Sequence, residues 1–169
     1  SSEESSEEAS SADVEAALVA AMRPLHHVWR DCIRRHIPAI ARGLGACARV
    51  SPALADVFAA LSRPPACFVV AILGQDPYPG AGTAHGLAFS TRAKKTPASL
   101  KTVFAAIKKS QPRASHVHNR LDNWVAQGVL LLNAQLTTRT GAKNEHKFWR
   151  DCAADILATW IRHAPAGVI

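Results

Sequence analysis

Apolar positions near the start of the chain recur at helical spacing. Val14, Leu18 and Met22 form a first series. The second series comprises Ile33, Ile37, Ile40 and Leu44. Residues three or four apart share one face of a helix, so residues 13–48 are predicted to form two helices that separate near Pro24. A further helix is predicted over residues 53–62, before a pair of prolines.

Two short apolar runs predict buried strands. Residues 68–73 are apolar throughout and precede Gly74, and residues 129–132 precede Asn133. Runs of this length, bounded by glycine or polar residues, are typical of strands buried on both faces of a parallel sheet.

Helical spacing returns after each of these runs. One series, which Ser99 is expected to cap, comprises Leu100, Val103, Phe104 and Ile107. The other comprises Trp149, Cys152, Ala153, Ile156, Leu157 and Trp160. A third strand is predicted at residues 166–169. Strands that alternate with helices predict an α/β fold with a parallel sheet, in which ligands bind beyond the carboxyl ends of the strands.

Charge is distributed unevenly along the 169 residues. The net charge is +7, but residues 1–16 contain six acidic residues and no Lys or Arg, so the remainder is more basic still. A body this basic suits a polyanionic partner such as nucleic acid, although solubility alone would also explain it. Residues 1–12 lack large apolar side chains and are predicted to form a disordered acidic tail before a domain at 13–169. Such a tail is typical of nuclear or viral proteins.

Composition argues against several other classes of protein. No apolar run approaches the roughly 20 residues that span a bilayer, so no membrane partner is expected. The four cysteines, at positions 32, 47, 67 and 152, form no CxxC pair and match no zinc spacing. We interpret them as reduced packing residues and expect no metal and no cofactor.

Candidate chemistry follows the two predicted strands. Asp76, fixed by Pro77 in a loop, has the carboxylate that a general base needs. Phe89 has a ring that can stack on a planar ligand, and the Asn133 amide has the donors and acceptor to bind the edge of a base. Tyr78 could exclude a larger ring substituent. Each residue singly has a structural explanation, such as a turn, a strand end or the core; together they indicate a flat, polar heterocycle.

Three segments in order resemble family-1 uracil-DNA glycosylases. They are Gly-Gln-Asp-Pro-Tyr at 74–78, Ala-His-Gly-Leu-Ala-Phe-Ser at 84–90, and Gly-Val-Leu-Leu-Leu-Asn-Ala at 128–134. The resemblance runs from about Trp29 to the last residue. It implies a three-layer α/β/α fold with a central, mainly parallel sheet whose C-terminal strands would be missing here.

The resemblance also implies an activity and a role for each residue. The reaction would be hydrolysis of the N-glycosidic bond of deoxyuridine in single- or double-stranded DNA, by a monomer in the nucleus or cytoplasm. Asp76 would activate the attacking water. The uracil-binding residues would be Gln75, Tyr78, Phe89 and Asn133. The DNA-binding residues would be Ser90, Pro97, Ser99 and His146.

Two departures from the family pattern affect the expected activity. Pro79 stands where many members have a histidine that helps to place the water. The His-Pro-Ser-Pro loop, whose histidine would bind uracil O2, is absent from the sequence. We therefore expect weak activity or none if the chain is complete, and a truncated fragment is the simpler explanation. A catalytically impaired DNA-binding protein, or a relative that prefers thymine in mismatches, remains an alternative.

Overall fold

Three helices form the first part of the structure. The computed structural model describes residues 10–45, 49–114, 118–143 and 145–166. The helices are α1 (Ser11–Met22), α2 (His27–Arg34) and α3 (Ile37–Leu44). The break near Pro24 is confirmed, but the second apolar series forms two helices because the chain turns at residues 35 and 36 and α3 begins anew with Pro38 in its first turn. All seven residues of the two series are buried.

Helix α1 begins within the segment that was predicted to be a disordered tail. Ser10 caps α1 by accepting a hydrogen bond from the Asp13 amide, and the Asp13 side chain accepts one from the Ser10 amide in return. This capping box satisfies amides that would otherwise lack partners at the helix start. Residues 11 and 12 are therefore helical, and residues 1–9 of the predicted tail lie outside the described residues.

Within the described ranges, four strands form two small sheets. The strands are β1 (Val50–Ser51), β2 (Val70–Gly74), β3 (Val129–Asn133) and β4 (Thr138–Arg139). β1 pairs with β4 in antiparallel fashion. β2 and β3 are parallel, in a register that runs from Val70 opposite Val129 to Gly74 opposite Asn133. The predicted α/β fold with a parallel sheet is confirmed at this level.

Burial differs between the two parallel strands. Leu130, Leu131 and Leu132 of β3 are at most 1% exposed, as predicted. β2 is not buried in the way its composition predicted, since Val70 is 38% and Leu73 54% exposed. The reason is its position: within the described part of the chain β2 pairs with β3 alone and has an open edge.

In the described part of the chain, three α-helices follow β2. They are α4 (Ala98–Ser110), α5 (Asp122–Ala126) and α6 (Arg150–His163). α6 packs on α2, and the Trp160 indole donates a hydrogen bond of 3.0 Å to the Phe68 carbonyl ahead of β2. α5 contacts β3 directly. The strand predicted at 166–169 falls mostly on residues 167–169, which lie outside the described ranges.

The helix predicted over residues 53–62 does not form. Two 3-10 turns occupy this region, Leu54–Asp56 and Ala59–Leu61. Four side chains of this region are buried in the core: Val57, Phe58, Ala60 and Leu61. The Asp56 carbonyl also lies where a Cβ on Gly86 would be, so this turn and the loop at residue 86 pack backbone to backbone.

Other sequence-based expectations concern metals, thiols and membranes. Across the ranges that the structure describes, no group of three or more His, Cys, Asp or Glu side chains is arranged to hold a metal ion. Cys32, Cys67 and Cys152 are free thiols, and Cys47 lies outside those ranges. None of the described helices is long and apolar enough to cross a membrane.

Candidate active site

A cavity of about 190 Å³ lies at the carboxyl ends of β2 and β3. It includes the catalytic candidate and all four residues predicted to bind the base. Its lining residues are Gly74, Gln75, Asp76, Pro77, Tyr78, Pro79, Phe89, Ser99, Asn133 and Lys143. The structure therefore brings together residues from separate parts of the sequence, as the position of ligand sites in parallel sheets predicts.

The pairing of β2 and β3 fixes the floor of the cavity. The two segments remain hydrogen-bonded beyond the ends of the strands. The Ala134 amide donates to the Gly74 carbonyl at 2.9 Å, and the Gln135 amide donates to the Gln75 carbonyl at 3.0 Å. Asn133 is 8% exposed. Its Oδ1 lies against the Gly74 backbone, only 2.1 Å from where a Cβ on Gly74 would be. The Asn133 amide can take this position because residue 74 has no side chain.

Asp76 lies in the loop that leaves β2. Its carboxylate is half-buried, between the exposed Gln75 and the buried Pro77. Two contacts from the β1–β4 region hold the following residues: the Ser51 hydroxyl donates to the Tyr78 carbonyl at 2.9 Å, and the Gly141 amide donates to the Pro79 carbonyl at 2.9 Å. A carboxylate on a loop whose backbone is held by such hydrogen bonds is suited to hold a water molecule in a fixed direction.

Tyr78 connects three segments around the cavity. Its hydroxyl donates to the Phe89 carbonyl at 3.1 Å and lies 2.9 Å from the Ser99 Oγ. Burial raises the pKa of Tyr78 above its ordinary value of 10, so the hydroxyl remains protonated at neutral pH. The ring is half-buried against the cavity, where it can limit the size of a ligand.

Phe89 adopts a backbone conformation that is unusual for its type. Its φ is 63°, in the left-handed region that bulky residues seldom occupy. Such strain persists only where surrounding contacts enforce it, and it is concentrated at functional sites. Here the Tyr78 bond to its carbonyl, and the Ala88 amide bond of 3.0 Å to the Leu131 carbonyl, hold the segment against β3.

Ser90 and His85 support the loop from beneath. Ser90 is 1% exposed; its Oγ lies 2.6 Å from the His85 Nε2 and accepts a bond of 2.9 Å from the Leu121 amide. Burial lowers the pKa of His85 below its ordinary value. The Ser90 side chain thus supports the loop from beneath the surface, and the DNA contact that the resemblance implied stays a prediction.

His146 is also internal. It is 3% exposed, its Nδ1 lies 2.8 Å from the Thr137 Oγ1, and its ring stacks on Phe148 at 5.1 Å. Thr137 also accepts a bond of 2.6 Å from the Trp149 indole. Burial lowers the pKa of His146. As with Ser90, the side chain is packed in the interior, and the DNA contact that the resemblance implied stays a prediction.

Pro97 and Ser99 do reach the surface beside the cavity. Pro97 is half-buried at the N-cap of α4, and Ser99 is exposed in the first turn of that helix. Ser99 was expected to cap α4, and this prediction is wrong. The N-cap residue is Pro97, and the Ser99 hydroxyl bonds to Tyr78 instead.

Lys143 is a cavity residue that the sequence did not single out. It is exposed and follows the turn after β4. It reaches the cavity because the Gly141 amide bonds to the Pro79 carbonyl, a contact between residues 62 positions apart. The hint available in sequence was a lysine close to a Thr-Gly turn downstream of Asn133, which is too common a feature to be informative.

Comparison with known proteins extends the resemblance beyond the motifs. No protein-family model matches the chain. The uracil-DNA glycosylase of Mesomycoplasma hyopneumoniae is 46% identical over 100 residues, which cover 59% of this chain and 46% of that protein. That of varicella-zoster virus is 46% identical over 102 residues (59% and 33%), and that of Deinococcus deserti 43% over 125 residues (71% and 50%). The chain thus spans between a third and half of the length of these curated relatives.

Solved structures give the same result at the level of the fold. The mimivirus uracil-DNA glycosylase superposes with a TM-score of 0.74 at 26% identity, over 86% of this chain and 59% of that one. A glycosylase structure from Nitratifractor salsuginis matches with a TM-score of 0.64 over 89% of this chain and 77% of that one, and at 18% identity it shows the fold alone. The similarity to uracil-DNA glycosylases predicted from the three segments is confirmed.

Proposed function

We propose that this chain carries the catalytic core of a uracil-DNA glycosylase, which hydrolyses the bond between uracil and deoxyribose in DNA and thereby starts base excision repair. The observation that carries the proposal is the shared cavity. A carboxylate, two aromatic rings and a buried amide surround about 190 Å³ at the ends of two parallel strands. Similarity to glycosylases of bacteria and viruses, at 43–46% identity, supports the same chemistry.

In the proposed reaction Asp76 orients and deprotonates a water molecule that attacks C1′ of the sugar. The bond from C1′ to the base nitrogen breaks, and its electron pair departs with the base. The reaction needs no metal and no cofactor. The rigid attachment of the Asp76 loop to β1 and to the turn after β4 favours this role, since positioning supplies much of the effect of a general base.

Specificity for uracil would come from the remaining cavity residues. Phe89 stacks on the flipped base, and Asn133 bonds its O4 and N3–H. Gln75 contributes a backbone amide to O2, and Tyr78 occupies the space that the methyl group of thymine would need. Because Tyr78 is held by bonds to Phe89 and Ser99, it would discriminate better than a loose ring, for packed interiors resist overfilling.

DNA is the proposed partner, in single- or double-stranded form, and the chain would act as a monomer. A base inside a duplex must be flipped out before it can enter such a cavity, at a cost of a few kcal/mol. Exposed Ser99 and Pro97 at the start of α4 are placed to contact the backbone and help to offset this cost. The basic composition of the chain favours the same partner. Viral and bacterial relatives are consistent with action in the nucleus or the cytoplasm.

The parallel pair of strands supports a larger arrangement. We infer that β2 and β3 belong to the central sheet of a three-layer α/β/α fold, in a domain that includes the three N-terminal helices. The support is the parallel register, the contact of α5 with β3 and the packing of α6 on α2. The match to the mimivirus enzyme, which includes 86% of this chain, points in the same direction.

The decisive experiment measures the release of uracil from a single-stranded oligonucleotide. We expect Asp76→Asn to lower the single-turnover rate by a factor of about 10²–10⁴, the range for loss of a general base. Asp31→Asn, at an exposed position on α2, is the matched control and should retain the parent rate. Equal rates for Asp76→Asn and the parent would contradict the assigned mechanism.

A DNA-binding protein without catalysis is the second candidate, and Pro79 is the observation that favours it. A proline side chain has no polar atom with which to hold water next to Asp76. Salt-sensitive binding of the oligonucleotide, with no uracil released at any enzyme concentration, would select this candidate over the enzyme.

A further inference from the structure

Lys143 brings a positive charge into the cavity. Of the described residues that line it, Asp76 and Lys143 are the two that carry a formal charge. The backbone before Lys143 is fixed on two sides: the Ala142 amide bonds to the Arg139 carbonyl at 3.0 Å, and the Ala142 carbonyl accepts a bond of 3.0 Å from the Thr138 hydroxyl. These bonds fix the backbone from which the Lys143 side chain extends at the cavity.

The proposed reaction creates a charge that needs such a group. When the C1′–N1 bond breaks, both electrons remain on the base, which departs as an anion with its charge shared between N1 and O2. The oxygen of the water forms the new bond to C1′, and its proton passes to the Asp76 carboxylate. Before that transfer the carboxylate and the departing base are both negative and lie in one small cavity, so they repel each other.

We propose that Lys143 is a further substrate-contacting residue, whose ammonium group stabilises the negative charge on the departing pyrimidine. This inference rests on the proposed function. The other polar groups of the cavity, such as the Asn133 amide and the Gln75 backbone, are neutral dipoles. A cation adds a full charge and offsets the repulsion between Asp76 and the base anion.

A contact with a DNA phosphate is the competing role for a lysine at this place. The position of Lys143 favours the base, because Lys143 is one of the residues that line the same cavity as Asn133, the residue proposed to bind the base edge. A phosphate contact would act on affinity for DNA of any sequence and would contribute to its salt dependence. Contact with the base would act on the leaving group alone. The two roles therefore differ in what they change.

The first test measures binding and does not require activity. The probes are free uracil, which is neutral at moderate pH, and 6-azauracil, whose extra ring nitrogen makes it acidic enough to be an anion in mildly alkaline buffer. Dissociation constants are measured for the parent, Lys143→Met, Lys143→Arg and the control Lys109→Met, an exposed residue in the last turn of α4. We expect Lys143→Met to weaken binding of the 6-azauracil anion about tenfold, the size of one charge contact in largely water-like surroundings. Binding of uracil should change less than about twofold.

The second test uses the leaving group. Single-turnover release is compared for uracil and 5-fluorouracil in the same oligonucleotide, because fluorine stabilises the departing anion and reduces the need for an external charge. Lys143→Met should slow release of uracil about tenfold and release of 5-fluorouracil clearly less. Lys143→Arg should restore most of the rate, and Lys109→Met should match the parent.

Different results overturn different claims. If both bases bind the parent and Lys143→Met binds the anion equally well, the role of Lys143 is wrong while the proposed function stands. A loss confined to DNA affinity, with a salt slope smaller by about one, would show a phosphate contact instead. If neither base binds the parent at all, both the role of Lys143 and the cavity as a pyrimidine site are wrong.

Discussion

At the scale of single residues, the cavity is defined by close backbone contacts as much as by side-chain chemistry. Asn133 can lie where it does because Gly74 has no side chain, and Phe89 holds a strained φ because Tyr78 and β3 fix the segment around it. Such contacts leave little room for adjustment in a packed structure. Substitutions that add one carbon here should affect ligand binding more than their chemistry implies.

Gly74→Ala tests this interdependence. The new Cβ would be 2.1 Å from the Asn133 Oδ1 and 3.2 Å from the Ala88 Cβ, so the amide must rotate out of its position. We expect uracil binding to weaken by roughly 1–3 kcal/mol, as for a buried polar group left without its partner. The free energy of unfolding should change less than this, because the amide can turn into the cavity.

Gly45→Ala is the matched control. It is the same change at the end of α3, where φ is −58° and the nearest atoms to the new Cβ are 3.4 Å away. It should leave uracil binding unchanged. If both variants bind uracil as the parent does, Gly74 does not position Asn133.

At the scale of elements, two buried histidines hold loops in place through hydrogen bonds to hydroxyl groups. His85 bonds to Ser90, which also accepts from the start of α5, and His146 bonds to Thr137 just ahead of β4. Neither side chain reaches the surface. Both loops border the cavity, so the protonation state of these histidines should affect the stability of the elements that carry the site.

Stability should therefore decrease in mild acid. Burial lowers the pKa of both His85 and His146 below the ordinary value of 6.5. The unfolded chain takes up protons near pH 6.5, whereas the folded chain does so only at lower pH, so the free energy of unfolding falls as the pH drops below about 6.5. Urea unfolding between about pH 7.5 and pH 5.5 measures the effect, because carboxylates with ordinary or lowered pKa values titrate below this window.

Variants identify the groups responsible. His85→Gln and His146→Gln should be less stable than the parent at neutral pH, since each disturbs a buried hydrogen bond. Each should also show a smaller loss of stability on acidification, and the double variant the smallest. An undiminished pH dependence in the double variant would assign the effect to other groups.

At the scale of the whole molecule, charge is separated along the sequence. The first 16 residues carry six carboxylates, whereas the rest of the chain has an excess of Lys and Arg. A basic body attracts the DNA backbone irrespective of sequence, and an acidic segment on the same chain reduces that attraction.

Deletion of residues 1–9 should tighten DNA binding at low salt. It removes Glu3, Glu4, Glu7 and Glu8 and no basic residue, and it retains Ser10, which caps α1. We expect a gain of about three- to tenfold in affinity for an oligonucleotide without uracil, measured by fluorescence anisotropy in low-salt buffer. The gain should vanish near 0.5 M salt, where charges are screened over only a few ångströms. A full-length chain in which these four glutamates are replaced by glutamines should behave in the same way, because it removes the same charges.

The sequence by itself determined the features that depend on local pattern. The spacing of Val14, Leu18 and Met22 defined a buried helix face, and the run before Asn133 defined a buried strand, because each periodicity expresses which side of one element meets the core. The order of the three glycosylase-like segments likewise indicated which residues gather at the strand ends, and the cavity is lined by all five candidates for catalysis and base binding: Gln75, Asp76, Tyr78, Phe89 and Asn133.

Only the tertiary structure decided which of these residues are exposed and which others join them. Residues 68–73 look like a buried strand, yet Leu73 is 54% exposed because no second strand among the described residues covers that edge of β2. Ser90 and His146 are buried by contacts with distant segments. Lys143 lines the cavity because its segment lies against the Asp76 loop, to which the Gly141 amide is bonded at the Pro79 carbonyl. Exposure at an open sheet edge and contact between distant segments depend on how segments pack against one another, which the pattern within a single segment does not encode.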